Sequence, residues 1–344
     1  MAEILVLDIA ASKTGALSVL RDFYEYVLKR CGECTDEWIF VTGSPEILGS
    51  SSSSKIRTIV RSDVKASSAA RLKFELLSGG AWVNSLKPDI VFSLENMLPK
   101  GIDRSIRQVL YIHQPVGFQK EKKFSLFKRS EREQALYQKF YHKLILASAR
   151  RADCSVVQTE WMKDALIKDA NLPEDRVFKV RPDIPDLSGY VRSGEFRPDS
   201  FFYPASDLPY KNHIVMDKAA ELLKSRGYAP KLRYTKDQLL SREEVFAEYN
   251  RSTLVFPSYI ETFGMPLGEA RQFGNPILAS DAGFSREVLS GYDNAHFFNP
   301  FDEGALADLM QEVMEGKIVP HKPCKVDPVM SSYSKLVDII LEGL

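Results

Sequence analysis

The sequence predicts an α/β protein with two domains, each built on a parallel sheet that helices cover. The chain has 344 residues, which exceeds the size at which one hydrophobic core usually keeps growing. Short apolar runs alternate with helical patterns along it, an order typical of parallel sheets. A proline-rich polar run over 181–198 interrupts that alternation. We therefore expect one domain over 1–187 and a second over 188–331, followed by an amphipathic helix at 332–344.

The individual elements follow from apolar runs and from their flanking turn residues. The expected strands are 4–8, 38–42, 55–60, 89–93, 109–112, 154–158 and 178–180 in the first half, and 201–203, 231–234, 254–256, 276–279 and 296–298 in the second. The expected helices include 16–30, 68–86, 131–151, 160–170, 238–251, one after Lys211 that ends at Gly227, and one that begins at Pro266.

Several classes of protein are disfavoured. No run of about 18 apolar residues occurs, and the start lacks the features of a signal peptide, so we expect a cytoplasmic protein. Four cysteines are too scattered for a disulfide framework. Cys31 and Cys34 form a CxxC at a helix end, where a redox pair is not expected, and no second CxxC completes a zinc site. The net charge is zero and no recognition motif is present, which argues against nucleic acid.

The loop after the first strand holds a single glycine, Gly15, and no GxGxxG pattern. A nicotinamide-dependent dehydrogenase is therefore disfavoured. A glycine at a helix N-terminus can still approach a phosphate or an acceptor sugar, and a plain turn glycine explains Gly15 equally well.

The most informative stretch is 253–287, which reads TLVFPSYIETFGMPLGEARQFGNPILASDAGFSRE. A buried strand ends at Pro257, and Pro266 suits the first position of a helix because its missing N–H needs no partner there. Backbone N–H groups before such a helix point outward, with a positive helix end behind them, and favour an anion such as phosphate. The residues that contribute to this loop are Thr262, Phe263, Gly264, Met265, Pro266 and Leu267.

Two carboxylates, Glu261 and Glu269, flank this loop with seven residues between them. Because like charges repel, they are better suited to accept hydrogen bonds from sugar hydroxyls than to contact phosphate. The spacing, the preceding strand and the Phe-Gly-x-Pro-Leu core resemble the Glu-x7-Glu motif of retaining glycosyltransferases of family four. The resemblance implies that Glu261 contacts the donor sugar and that Glu269 contacts the ribose of the nucleotide.

The resemblance also implies a GT-B architecture, with two Rossmann-like domains facing a central cleft and the terminal helix packing back on the first. The acceptor would bind the first domain. The donor would bind the second domain, where Lys211 and Asn212 stand at a helix start after a strand. Lys211 matches the family's phosphate-binding lysine. The family often has an arginine five residues earlier, where this chain has Ser206, which cannot bind phosphate in the same bidentate way. Arg286 is one candidate to replace that arginine.

Two residues of the first domain are candidates because ligands of open α/β sheets bind at the carboxyl ends of strands. His113 follows the strand at 109–112, and Asn96 follows the preceding one. The resemblance implies that His113 faces the donor sugar. A purely structural histidine is the alternative from the sequence alone.

Residues 120–132 carry six cationic side chains and two carboxylates, interleaved with apolar ones. Cations beside exposed aromatics fit a segment that lies on an anionic membrane face, and a solvated helix is the alternative. The candidate membrane contacts are Lys122, Lys123, Phe124, Phe127, Lys128 and Arg129.

The function that the resemblance implies is transfer of a sugar, with retained configuration, from a nucleotide-diphosphate sugar to an acceptor hydroxyl. We favour a UDP sugar as donor, a saccharide or lipid-linked saccharide as acceptor, and a role in bacterial polysaccharide or glycolipid assembly. No cofactor and no metal are expected. Catalysis would rest on Glu261, His113 and Lys211. The missing arginine supports one alternative, a non-catalytic nucleotide-sugar-binding subunit, and a GT-B epimerase is a second.

Overall fold

The computed structural model describes residues 1–11, 14–32, 35–48, 53–192, 194–324 and 332–342. The chain forms two compact units. The first comprises Met1–Gln114, Phe140–Arg181 and Met330–Leu344, and the second comprises Pro115–Lys139 and Pro182–Val329.

Each unit contains one parallel sheet, as the alternation of strands and helices predicts. The strands of the first sheet are β1 Glu3–Asp8, β2 Glu37–Thr42, β3 Ile56–Val60, β4 Ile90–Ser93, β5 Arg107–Tyr111, β6 Cys154–Val157 and β7 Val177–Lys179, in the order β3-β2-β1-β4-β5-β6-β7. Those of the second are β8 Ser200–Tyr203, β9 Lys231–Tyr234, β10 Thr253–Phe256, β11 Ile277–Ser280 and β12 Ala295–Phe298, in the order β12-β11-β10-β8-β9.

The helices lie between these strands. They are α1 Thr14–Arg30, α2 Ser62–Lys65, α3 Ser68–Lys73, α4 Gly79–Leu86, α5 Arg132–Leu136, α6 His142–Arg151, α7 Glu160–Ala170, α8 His213–Ser225, α9 Arg242–Arg251, α10 Met265–Ala270, α11 Gly283–Val288, α12 Glu303–Met314 and α13 Ser332–Leu341. Within the residues that the structure describes, no helix is both long enough and apolar enough to cross a membrane.

Two helices that the sequence predicts as continuous are interrupted. A π-helical turn at Phe74–Ser78 separates α3 from α4, and another at Tyr137–Tyr141 separates α5 from α6. Just after the first of these turns, Gly80 of α4 packs so tightly that a Cβ atom there would lie 2.2 Å from the carbonyl oxygen of Lys100. A regular hydrophobic period shows that a helix is present, but it does not show where an extra residue widens one turn.

The core of the first unit is closed by α13, which belongs to it although nearly 150 residues of the second unit come before α13 in the chain. Leu336, Val337 and Ile340 are buried in the same apolar cluster as Phe23 of α1 and Phe92 of β4. The Arg107 side chain on β5 donates a hydrogen bond to the carbonyl oxygen of Ile339, at 3.1 Å. Burial of a large aliphatic side chain stabilises a fold by about 1.5–3 kcal/mol, so α13 is an integral part of this unit.

The division of the chain differs from 1–187 and 188–331 in one main respect, because residues 115–139 group with the second unit. Phe124 is buried, and the ammonium of Lys122 lies 5.5 Å from the ring centroid of Tyr259, which follows β10. These are contacts between residues far apart in sequence, and neither the apolar pattern nor the proline content of the segment reveals them.

Candidate functional site

An ion pair lies at the carboxyl ends of β8 and β10, which are neighbours in the second sheet. Lys211 ends a short 3₁₀ turn after β8, and Glu261 lies in the loop after β10. The Lys211 Nζ and Glu261 Oε1 atoms are 2.6 Å apart, and the two side chains are 16% and 11% exposed. Lys211, the candidate residue for phosphate binding, is therefore in direct contact with Glu261, the candidate residue for sugar binding. Both side chains are partly screened from water, which strengthens their interaction.

A chain of hydroxyl groups orients this ion pair. The Ser258 hydroxyl donates to Glu261 Oε1 at 2.7 Å, and it lies 2.6 Å from the hydroxyl of Tyr203. Burial, and then the nearby Glu261 carboxylate, raise the pKa of Tyr203 well above its ordinary value. Tyr203 therefore stays protonated, and its hydroxyl also donates to the carbonyl oxygen of Lys211 at 3.1 Å.

The second carboxylate, Glu269, is buried on α10 and has two partners from α9. The Arg242 guanidinium lies 2.8 Å from Glu269 Oε1, and the Tyr249 hydroxyl donates to Oε2 at 3.0 Å. A capping box formed by Ser241 and Glu244 fixes the start of α9, and with it the position of Arg242. Each oxygen of a carboxylate has room for a second hydrogen bond, so Glu269 can still accept from a ligand hydroxyl.

The loop between the two glutamates turns at Gly264, which has a φ of +86° and caps the N-terminus of α10. The helix begins at Met265, one residue before the expected start, so Pro266 occupies its second position. Phe263 and Leu267 are buried, and the Leu267 N–H donates to the carbonyl oxygen of Gly264 at 2.9 Å. The prediction that the Leu267 N–H is available to an anion is therefore wrong, because α10 already uses it.

We expect Gly264→Ala to weaken binding of a nucleoside diphosphate, measured by calorimetry, about 5- to 30-fold. A left-handed backbone costs a residue with a Cβ about 1–2 kcal/mol, and the new atom would lie 3.2 Å from Leu267 Cδ1. The matched control is Gly227→Ala, also at positive φ (+89°) but with open space around it. Equal loss of nucleotide affinity in both variants would contradict a local role for the Gly264 turn.

The structure places Asn212 differently from the expectation. Asn212 is buried, with a left-handed φ of 56°, and its amide donates to the carbonyl oxygens of Pro257 and Pro300 at 3.2 and 2.7 Å. It holds two loops at the sheet edge instead of presenting its amide to a ligand. Ser206 is exposed, and its carbonyl oxygen accepts from a ring nitrogen of His213, at 3.0 Å.

The arginine absent at position 206 has no direct substitute in Arg286. The Arg286 guanidinium forms a bidentate pair with Asp281, at 2.5 and 2.9 Å, and lies 4.6 Å from the ring centroid of Phe297. Besides Lys211, the structure places Arg242 beside the motif, and 59% of the Arg242 side chain is exposed.

The first unit brings His113 and Asn96 together at the ends of β5 and β4. The backbone N–H of His113 donates to Asn96 Oδ1 at 2.7 Å, and Asn96 has a left-handed φ of 64°. Burial, and then the charge of Arg71, lower the pKa of His113 to about 4. His113 is therefore neutral at pH 7, with one ring nitrogen as donor and the other as acceptor. Gly15 lies in the first turn of α1.

A group of buried carboxylates lies at the same edge of the first sheet. Glu95 Oε1 accepts from the Ala10 N–H at 2.7 Å. Burial, and then Glu95, raise the pKa of Asp8 well above its ordinary value, and burial raises that of Glu75 to about 7 despite a 2.9 Å contact with Arg71. No sequence motif marks these residues, apart from the positions of Asp8 at the end of β1 and of Glu95 just after β4.

The basic segment 120–132 is only partly exposed. Phe124 is buried, and the Lys122 ammonium lies 3.7 Å from Glu131 and above the rings of Phe124 and Tyr259. The ring of Phe127 is 95% exposed. Lys123, Lys128 and Arg129 are exposed as well. Membrane contact through Phe124 is excluded by its burial, whereas the other exposed side chains stay candidates.

The structure also bears on the CxxC cysteines and on possible metal sites. Cys31 is a buried, reduced cysteine, and Cys34 lies outside the described residues. Across the described ranges, no group of three histidine, cysteine, aspartate or glutamate side chains could hold a metal ion.

The sequence reading missed Arg242, Tyr249 and Tyr203 as parts of the site. Arg242 follows the serine of a Ser-x-x-Glu capping box, which is legible in the sequence and places it at a helix start. The two tyrosines fall within or beside apolar runs, where their hydroxyl groups are indistinguishable from ordinary core positions.

Comparison with known proteins finds one matching family model and one curated relative. Residues 216–325 match the model of a family described as glycosyl transferases group 1. The sucrose-phosphate synthase of Spinacia oleracea is 30% identical over 71 residues, which make up 21% of this chain and 7% of that protein. The match thus spans a small part of that relative.

Solved structures resemble nearly the whole chain. Anabaena HepE in complex with UDP and glucose has a TM-score of 0.59 at 14% identity, covering 92% of this chain and 91% of that one. The sucrose-phosphate synthase of Thermosynechococcus elongatus has a TM-score of 0.62 at 14% identity, covering 92% of this chain and 90% of that one. The lipopolysaccharide outer core galactosyltransferase WaaB has a TM-score of 0.60 at 15% identity, covering 99% of this chain and 100% of that one. The chain therefore has the GT-B fold, and its residues 216–325 match the model of the group 1 glycosyl transferases.

Proposed function

We propose that this protein is a retaining glycosyltransferase that moves a sugar from a nucleotide-diphosphate sugar to an acceptor hydroxyl. The observation that carries the proposal is the Lys211–Glu261 ion pair beside the Gly264 turn, with buried Glu269 on the helix that follows. A cation, an acceptor for sugar hydroxyls and an acceptor for ribose hydroxyls then stand at one sheet edge. A UDP sugar is the favoured donor, since HepE was solved with UDP and with UDP-glucose.

In this reaction the side chains contribute mainly by positioning the reactants and by stabilising charge. The bond between the sugar carbon and the diphosphate oxygen breaks, and a bond to the acceptor oxygen forms on the same face. The departing diphosphate oxygen accepts the acceptor's proton, as the resemblance to family four implies. Lys211 has three N–H donors, of which Glu261 takes one. The remaining two can stabilise the charge that grows on the diphosphate.

The two glutamates have different tasks in this proposal. Glu261 Oε1 already accepts from Lys211 and Ser258, so its other oxygen serves the donor sugar. Glu269 serves the ribose, with Arg242 and Tyr249 holding its orientation. The neutral imidazole of His113 can exchange hydrogen bonds with a sugar hydroxyl without adding charge.

The direct test uses the purified chain with UDP-, GDP- and dTDP-glucose. We expect UDP-glucose to raise the unfolding temperature most, because a ligand at 100 times its Kd stabilises by about 2.7 kcal/mol. We also expect slow release of UDP, as water replaces the acceptor. Stabilisation without any release of UDP would favour the alternative, a nucleotide-sugar-binding subunit that supports a partner enzyme. No stabilisation by any of the three would contradict the proposal.

We further propose that transfer needs no metal ion, since Lys211 and backbone N–H groups are cationic or dipolar partners for the diphosphate. The release of UDP from UDP-glucose should then be unchanged, within about twofold, after dialysis against EDTA. Unchanged folding after dialysis, checked by circular dichroism, is the necessary control. A rate that vanishes with EDTA and returns with magnesium or manganese would refute metal independence.

The exposed part of the basic segment is proposed to bind anionic membranes, which would suit a lipid-linked acceptor in bacterial polysaccharide or glycolipid assembly. Each exposed cation near an anionic surface contributes about 1 kcal/mol. Replacing Lys123, Lys128 and Arg129 by glutamine should weaken co-sedimentation with phosphatidylserine vesicles about 100-fold at low salt. Lys122 is left intact because it pairs with Glu131.

The matched control for vesicle binding replaces three exposed lysines elsewhere, Lys168, Lys218 and Lys224. It removes the same net charge from the chain and leaves segment 120–132 unchanged. If both triple variants lose vesicle binding equally, net charge is responsible and this segment is not. If the wild-type chain fails to co-sediment, the segment is a solvated surface.

A further inference from the structure

A cavity lies at the edge of the second sheet formed by the carboxyl ends of its strands, on the side of β11 and β12. It has a volume of about 480 Å³ and is lined by Glu121, Asp281, Asn299, Pro300 and Phe301. This volume falls within the roughly 300–1,000 Å³ usual for small-molecule sites. Because the strands are parallel, the ends of β11 and β12 bring Asp281 and Asn299 to neighbouring positions.

The aromatic wall of this cavity is unusual for a surface. Phe301 stacks on Tyr259, with ring centroids 4.9 Å apart and planes at 27°, yet 44% of Phe301 stays exposed. The ammonium of Lys122 lies 5.5 Å from the centroid of the same Tyr259 ring. The stack therefore fixes the orientation of the Phe301 ring and leaves part of the ring exposed. A flat apolar face of a ligand can pack on that exposed part.

The polar groups around the ring are ordered as well. Asp281 is held by the bidentate contact with Arg286, which lowers its pKa and keeps it ionised. Two hydrogen bonds use half of the roughly four acceptor positions of a carboxylate. Asn299 Oδ1 accepts from the Phe301 N–H at 3.0 Å, which leaves the Asn299 amide to donate. Glu121 is exposed at the rim.

The cavity also has a direct connection to the ion pair. The amide of Asn212, the neighbour of Lys211, donates to the carbonyl oxygen of Pro300 at 2.7 Å, so the two sites share a loop anchor. The Tyr259 N–H donates to the carbonyl oxygen of Tyr210 at 2.9 Å. A ligand in the cavity would thus lie beside the place where the sugar is transferred, and within the same unit.

From this arrangement we propose that the cavity is a saccharide subsite, in which a sugar ring packs on Phe301 and its hydroxyls bond to Asp281, Asn299 and Glu121. A sugar ring presents C–H groups on its face and hydroxyls at its edge, which matches an apolar platform surrounded by acceptors and a donor. The inference deepens the proposed function, on which it rests. The subsite holds a residue of the saccharide acceptor next to the transfer site, and the nucleotide does not enter it.

The test compares Phe301→Leu with Phe301→Tyr on a printed array of bacterial and eukaryotic oligosaccharides, using the full-length labelled chain. Leucine keeps apolar volume but loses the flat face, whereas tyrosine keeps the ring. Aromatic contacts contribute about 0.5–1.5 kcal/mol beyond area burial. We therefore expect the wild type and Phe301→Tyr to bind a common set of oligosaccharides, and Phe301→Leu to bind it about 2- to 10-fold more weakly.

Calorimetry with UDP separates this inference from the proposed function. UDP affinity should be the same in all three proteins, and equal unfolding temperatures should show that the Tyr259 stack is not essential for folding. If Phe301→Leu binds the oligosaccharides as tightly as the wild type does, or if no protein binds any oligosaccharide, the subsite is overturned even if UDP binds. Weaker UDP-glucose binding in Phe301→Leu would also overturn it, by assigning the cavity to the donor. Absence of UDP binding, with Phe301-dependent array binding, would refute the transferase alone.

Discussion

Replacing Lys211 with alanine is expected to lower kcat for sugar transfer about 10²- to 10³-fold, with a much smaller effect on the affinity for UDP. The reason is that negative charge grows on the diphosphate as the glycosidic bond breaks, so a fixed cation acts mainly in the transition state. The measurement is steady-state release of UDP from UDP-glucose, together with calorimetry of UDP. The matched control is Lys218→Ala, which removes an exposed lysine of α8 that pairs with Glu303 at 3.1 Å.

The ion pair complicates the Lys211 variant in a way that the experiment can resolve. Removing Lys211 leaves Glu261, whose side chain is only 11% exposed, without its cation. Loss of one partner of a buried pair destabilises the fold more than loss of both. The double variant Lys211→Met/Glu261→Gln should therefore recover unfolding temperature but not kcat. Recovery of kcat in the double variant, or a kcat near wild type in Lys211→Ala, would show that Lys211 has no role in the reaction.

The second large effect separates the two glutamates. Glu269 should hold the ribose equally before and during reaction, so Glu269→Ala should weaken UDP about 10- to 150-fold, the range for a hydrogen bond to a charged group. Glu261 should contact only the sugar. Glu261→Gln should then bind UDP within about twofold of wild type and lose most of kcat. Calorimetry of UDP with both variants is the decisive measurement.

The contacts of Glu269 require one more variant. Alanine there leaves the Arg242 guanidinium and the buried Tyr249 hydroxyl without their acceptor, so part of the loss could come from a displaced α9. Glu269→Gln keeps one acceptor oxygen and the shape of the side chain. We expect its UDP affinity to fall between those of the wild type and the alanine variant. If Glu261→Gln weakens UDP as much as Glu269→Ala does, the assignment of sugar and ribose is wrong.

The sequence predicted the sheets and the position of the motif well, because both depend on local patterns. Continuous apolar runs identify buried parallel strands, and residues that follow such strands must meet at one edge. That logic placed Lys211, Glu261 and His113 at strand ends, where the structure has them. It could not show that Lys211 and Glu261 touch, since the side-chain contact spans 50 residues of sequence.

Other features were beyond a local reading for the same reason. The buried partners of Glu269 lie on a separate helix, and Arg242 looks like any charged residue in a first helical turn. The grouping of 115–139 with the second unit depends on contacts such as Lys122 with Tyr259. The availability of backbone N–H groups also depends on an exact helix start, and a shift of one residue at Met265 decided how α10 uses its donors.

The placement of α13 in the first unit has a consequence for biosynthesis. On a ribosome, the chain is made at about 5–20 residues per second, so roughly 10–30 s pass between the emergence of residues 140–181 and that of 332–341. Throughout that interval the apolar cluster around Phe23 and Phe92 lacks Leu336, Val337 and Ile340. The core of the nascent first unit therefore stays incomplete while the whole second unit is synthesised. A chaperone that shields apolar surface would suit the chain during that interval.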